Sequence, residues 1–175
     1  MLISKYSASK KIAFSAIFAA LCCVATFIQV PLPFGYFNLG DIFVFVSAWM
    51  LGPLFGALAA GIGSALTDLI LGYSAYIPAT FVIKALMAVC AYFIYELLKK
   101  VIKSKKLDAV CRASSAVVGE CIMVGGYFLY EAFVLGYGAG ALASVGGNCL
   151  QGLAGIIGST LLIAVLPKID RLLGN

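Results

Sequence analysis

Residues 54–98 read LFGALAAGIGSALTDLILGYSAYIPATFVIKALMAVCAYFIYELL. Two apolar runs, 54–71 and 78–98, flank a Gly72-Tyr73-Ser74 turn, and each approaches the roughly 20 residues that a helix needs to cross a bilayer. Pro78 suits the first turn of the second helix, where its missing N–H has no helical partner anyway. Gly56, Ala57, Ala60, Gly61, Gly63 and Ala65 crowd the first run, as close helix packing in lipid requires. The stretch is a pair of membrane helices interrupted only by Asp68, Lys84 and Glu96.

The pattern extends in both directions. Further apolar segments cover about 12–30, 39–51, 113–135 and 141–166, bounded by Pro31-Leu32-Pro33, Gly52-Pro53, a basic linker from Lys99 to Arg112, Gly136 to Gly140, and Pro167. The segment 39–51 is short for a span, so a tilt or an extension by the preceding loop is expected. Hydrophobic residues make up 63% of the chain and charged ones 11%, too little polar surface for a soluble domain. The expectation is an all-α integral membrane protein, a six-transmembrane-helix bundle forming one domain over 1–175, with nothing left for a soluble catalytic unit. Lys5, Lys10 and Lys11 before an apolar run imitate a signal peptide, and Ala19-Ala20-Leu21-Cys22 a lipoprotein cleavage site. Leu21 stands where a small residue is needed, and a retained first helix is expected.

Basic residues orient the bundle. Lys5, Lys10 and Lys11 precede helix 1; Lys99, Lys100, Lys103, Lys105, Lys106 and Arg112 lie between helices 4 and 5; Lys168 and Arg171 follow helix 6. These are eleven of the twelve Lys and Arg. With both termini cytoplasmic all eleven are inside and the loops 31–38, 72–77 and 136–140 carry none, as the positive-inside rule demands. The net charge of +5 is thereby a topology signal, with anionic lipid as the lesser use, and no nucleic-acid partner is implied.

The twelfth cation, Lys84, lies inside a span, at a cost of roughly 3 kcal/mol on insertion scales. It should pair, face a wet cavity, or both. Asp41, Asp68, Glu131, Asn148 and Gln151 sit at a similar depth on four other helices. Helical spacing puts Thr80 on the face of Lys84, Tyr127 and Glu120 on that of Glu131, Ser144 beside Asn148 and Gln151, and Ser64 and Gly61 beside Asp68. Polar stripes mixed with small and aromatic residues describe a cavity wall. A lysine–carboxylate lock tying helices together is the alternative, and Asp41 at a helix start could instead cap it. Glu120 lies deeper, toward a partner or the cavity floor, and Glu96 is interfacial.

No Gly-x-x-x-x-Gly-Lys-[Ser/Thr] loop is present, and histidine is absent, which excludes P-loop ATP binding, His-dependent triads and histidine metal ligands. Cys22, Cys23, Cys90, Cys111, Cys121 and Cys149 lack CxxC spacing and read as reduced packing residues. No cofactor or metal is called for.

The runs Gly35-Tyr36-Phe37-Asn38-Leu39-Gly40-Asp41, Leu51-Gly52-Pro53-Leu54-Phe55-Gly56-Ala57, Gly61-Ile62-Gly63-Ser64-Ala65-Leu66-Thr67-Asp68 and Pro78-Ala79-Thr80-Phe81-Val82-Ile83-Lys84, with Ala16-x-x-x-Ala20 in helix 1, resemble the substrate-binding S component of an energy-coupling factor (ECF) vitamin transporter. They look most like the branch handling pyridoxine-type vitamin B6 and hydroxymethylpyrimidine. The match covers about 10–95. It implies ATP-dependent import of a small vitamin in a prokaryotic cell membrane. The ligand would enter from outside, beneath a gating loop, Pro31–Asn38, whose Phe34, Tyr36 and Phe37 can stack on a flat ring, with Asn38 at its end. Ala16 and Ala20 match the docking motif for a transmembrane scaffold subunit, and two partner ATPases would hydrolyse ATP. Asp41, Asp68, Thr80, Lys84, Tyr127, Glu131, Asn148 and Gln151 are the expected substrate contacts. Riboflavin is disfavoured here as needing a larger pocket. An autonomous or proton-coupled permease using Glu120 and Glu131, and an intramembrane enzyme, are the other classes.

Overall fold

The computed structural model describes residues 7–32 and 35–172. Helix α1 covers Ala8–Phe27, followed by a hairpin of β1 (Gln29–Leu32) and β2 (Gly35–Asn38), then α2 (Gly40–Leu51), α3 (Pro53–Leu71), α4 (Ile77–Ile102), α5 (Asp108–Leu129) and α6 (Leu142–Leu172). The architecture is an α-helical bundle with one antiparallel two-stranded ribbon, its register pairing Gln29 with Asn38 and Val30 with Phe37.

The expected helix 1 boundary at Val30 is corrected: the helix stops at Phe27 and Gln29 already starts a strand. The proline at 31 pushes Val30 to extended backbone, which suits a ribbon and not a helical turn. Helix α6 continues past Pro167 to Leu172, because a proline removes one helical hydrogen bond without necessarily ending the helix. The basic linker is also more helical than expected. Helix α4 runs through Lys99 and Lys100 in its last turn and closes at Lys103 with φ 47°, where cations face the helix's negative end.

Among the described residues, five helices are long and apolar enough to cross a membrane: α1, α3, α4, α5 with the turn that follows it, and α6. Helix α2 has 12 residues, about 18 Å at 1.5 Å each, well under a hydrocarbon core of roughly 30 Å. It is apolar all round because it is the core: Val44, Phe45, Val46, Ala48 and Leu51 are fully enclosed, and it packs against α1, α3, α4 and α6. Protein rather than lipid surrounds it. Its short length lets the ribbon occupy the layer above its first turn.

Helix α3 packs chiefly against α4 and α1. Thr67 Oγ1, fully buried, donates to the Cys23 carbonyl at 3.0 Å and so ties α3 to α1. The approach is closest at Gly63, where an added Cβ would lie 2.3 Å from the Ala19 carbonyl oxygen. Gly63→Ala is expected to destabilise the bundle by about 1–3 kcal/mol. Gly125→Ala, where nothing lies within 4 Å, should leave it unchanged. Thermal unfolding of the two variants in the same detergent measures the difference.

Candidate functional site

At the ribbon end of the bundle, opposite the basic linker, lies a cavity of about 680 Å³. All five helices named for the polar layer, together with α1 and the ribbon, contribute to this region. Asp68, Thr80, Lys84, Tyr127, Glu131, Asn148 and Gln151 line the cavity itself.

Its floor is built around one ion pair. Lys84 and Asp41 expose 3% and 1% of their surfaces, and Lys84 Nζ donates to Asp41 Oδ1. Asp41 Oδ2 accepts from Gln151 Nε2 at 2.7 Å, Gln151 Oε1 accepts from Asn38 Nδ2 at 2.7 Å, and Asn38 Oδ1 accepts from the Gly40 amide at 3.0 Å. Asp41 is therefore no helix cap; the first amide of α2, Gly40, is met by Asn38 instead. It lies behind Lys84 and is not among the lining residues. The lock and the cavity wall, alternatives in the sequence, are both present: Lys84 is locked on one side and lines the cavity on the other.

A second tier sits above. Tyr127 donates to Thr80 at 3.0 Å, and Lys84 lies 5.8 Å from the Tyr127 ring centre. Asp68 Oδ2 and Thr26 Oγ1 are buried with no hydrogen-bond partner among the described residues, and both residues line the cavity. Glu131 accepts from the hydroxyls of Tyr76, at 3.3 Å, and Ser144. It rides on a π-helical turn, Tyr130–Val134, which closes with Leu135 N–H on the Tyr130 carbonyl at 3.0 Å. One wide turn rotates Glu131 relative to a regular helix, a feature concentrated at functional sites.

Tyrosines make the mouth. Tyr36 of the ribbon meets Tyr73 with ring centres 5.4 Å apart and the planes tilted by 30°. Hydrogen bonding to Tyr73, with burial, pushes the Tyr36 phenol up to about 12, so it stays a neutral donor at physiological pH. Burial, and Glu131 beside it, raise the Tyr76 phenol as well. Tyr36 and Asn38 line the cavity while Phe37 does not, and Phe34 lies outside the described residues. Sequence reading missed Thr26, Tyr73, Tyr76 and Tyr137. All but Thr26 lie in loops or at helix ends, where helical spacing says nothing.

Glu120 lies on the floor's far side. It exposes 5% of its surface, neither oxygen has a hydrogen-bond partner among the described residues, and it packs on Gly152 and Gly155 of α6. A Cβ at Gly155 would meet Glu120 Oε1 at 2.5 Å and Asp41 Cβ at 2.9 Å. Ala16 and Ala20 face outward from α1, available to a neighbouring surface.

Comparison with known proteins agrees with this geometry. A family model described as "ECF-type riboflavin transporter, S component" matches residues 7–168. The chain belongs to this family. As an S component it is a membrane transport subunit and not an enzyme, and it falls in a class that binds small vitamins and works with scaffold and ATPase modules. Neither the permease nor the enzyme alternative is favoured. The S component of a bacterial ECF transporter, a solved structure, shares the fold at TM-score 0.67 and 20% identity, over 97% of this chain and 100% of that one. An "Uncharacterized protein in gap 3'region" of Pyrococcus woesei is 34% identical over 141 residues, 79% of this chain and 88% of the relative.

Within this S component, Lys84→Met leaves Asp41 as a buried, uncompensated charge, which costs about 3–5 kcal/mol. Pairing it with Asp41→Asn should restore most of that loss. A double-mutant cycle on thermal unfolding reads the coupling; additive losses would show that the pair does not act as a unit.

Proposed function

We propose that this S component captures a flat, hydroxylated heteroaromatic vitamin from the outside. On this reading both termini are cytoplasmic and the cavity end faces out, because the basic residues cluster at the opposite end. The ligand ring lies among Tyr36, Tyr73, Tyr76 and Tyr127, whose faces suit stacking. Asp68, Thr80, Lys84, Glu131, Asn148 and Gln151 supply donors and acceptors, Asp41 sets the charge of Lys84, and the ribbon with Tyr36, Phe37 and Asn38 is the gate. Docking through Ala16 and Ala20 onto a transmembrane scaffold with two ATPases then drives release inside.

The observation that carries this reading is the cavity's make-up, aromatic at the mouth and polar at the floor, beneath a ribbon hydrogen-bonded to that floor through Asn38. Vitamin B6 or hydroxymethylpyrimidine is the ligand pair favoured by the local sequence runs. Riboflavin is the second reading, supported by the description of the matching family. The size objection to it falls away, since about 680 Å³ sits well within the roughly 300–1,000 Å³ of small-molecule sites.

Mass spectrometry of small molecules released from the purified protein, followed by titration with pyridoxine, hydroxymethylpyrimidine and riboflavin, tests the reading. Saturable binding of one of them is expected, weakened about tenfold or more by Asn148→Ala, as the loss of a ligand hydrogen bond allows. Failure of all three to bind would refute it.

A further inference from the structure

The charges around the cavity do not balance. Among the described residues that line it, Lys84 is the one cation, and its ammonium is already matched by Asp41. Asp68 and Glu131 face the same space, and Glu120 lies behind the floor. The two lining carboxyls are not equivalent. Glu131 has both oxygens occupied, by the Tyr76 and Ser144 hydroxyls. Asp68 exposes only 9% of its surface and keeps Oδ2 without a hydrogen-bond partner among the described residues. The polar groups packed near it are Thr26 from α1, Thr80 and Lys84 from α4, Tyr127 from α5, and Tyr73 beyond its own helix. None of their donors reaches Oδ2. A buried acceptor left unmatched is costly, so the wall is built for a donor that arrives with the ligand.

We propose that Asp68 makes this cavity selective for ligands whose ring bears a protonated amine, a cationic hydrogen-bond donor, over those with a neutral or anionic group in its place. The inference rests on the vitamin-binding reading above and deepens it by naming the ligand's charge. A cation placed against the Asp68 carboxylate, which lines the cavity, gains a charge-assisted hydrogen bond in a site of low dielectric. An anion there meets Asp68 and Glu131 while the one nearby ammonium is committed to Asp41. Phosphorylated and carboxylated vitamin forms are therefore excluded by repulsion as well as by the missing contact.

Three ligands that differ at one ring substituent separate the cases: pyridoxamine with an ammonium, pyridoxine with a hydroxyl, and 4-pyridoxate with a carboxylate. Each is titrated into the full chain in lipid nanodiscs, with riboflavin as a fourth probe. Pyridoxamine is expected to bind about tenfold or more tighter than pyridoxine, as a charge-assisted bond allows, and 4-pyridoxate not to bind measurably. Asp68→Asn should reduce the pyridoxamine preference to about twofold or less, and Asp68→Glu should retain it, with thermal unfolding confirming that both variants fold. Equal or tighter binding of pyridoxine or 4-pyridoxate, a preference that survives Asp68→Asn, or binding of riboflavin alone would overturn the charge selection and leave the transport reading standing. Binding of none of the four, and none of hydroxymethylpyrimidine, would overturn both.

Discussion

An ammonium enclosed by membrane helices must find a counter-charge, because neither lipid nor packed protein can solvate it. Lys84 meets that demand with Asp41, and much of the molecule's upper half is arranged around the pair. Asp41 is held at the start of α2, so α2 has to begin at that depth. Gln151 hydrogen-bonds the other carboxyl oxygen and brings α6 against α2. Asn38 completes the series and fixes the end of the ribbon to the same carboxylate through Gln151. Three stretches far apart in sequence, the ribbon with α2, α4 and α6, are thereby placed by one buried charge.

The same arrangement makes room for the cavity. A full-length α2 would fill the space above Asp41 with helix; a helix of 12 residues leaves that layer to the ribbon and to the side chains of α3, α4, α5 and α6. The π-helical turn after α5 then brings Glu131 into the layer, where Tyr76 and Ser144 hold it. The mouth is closed from the side by tyrosines on the ribbon and on the loop between α3 and α4. A two-stranded ribbon with few buried apolar contacts of its own belongs to the low-stability end of the structure, where ligand-binding segments are generally found.

Much of the site was legible before any geometry. Intramembrane charge is costly enough that its position in sequence reports a function or a lock, which singled out Lys84 and its possible partners. Helical spacing then placed Thr80, Tyr127, Asn148 and Gln151 correctly on the wall. What spacing could not supply was which carboxylate pairs with Lys84. Asp41, Asp68 and Glu131 are equivalent by depth, and only packing of α2 against α4 selects Asp41. The ribbon is invisible in the sequence because four-residue strands beside two prolines carry little periodic signal. Tyr73, Tyr76 and Tyr137 lie at helix ends and turns, outside any repeat.

Sequence alone determined that this chain is a helical membrane bundle, where its helices lie to within a few residues, and which polar side chains share one layer. Those conclusions follow from hydropathy, helical period and the price of burying charge, all of which act locally along the chain. Tertiary structure decided that α2 is a short central helix enclosed by its neighbours, that Asp41 is the counter-ion of Lys84, and that Asp68 lines the cavity with one oxygen lacking a hydrogen-bond partner among the described residues. These depend on which segments meet across the bundle, and no local property of the chain encodes that meeting.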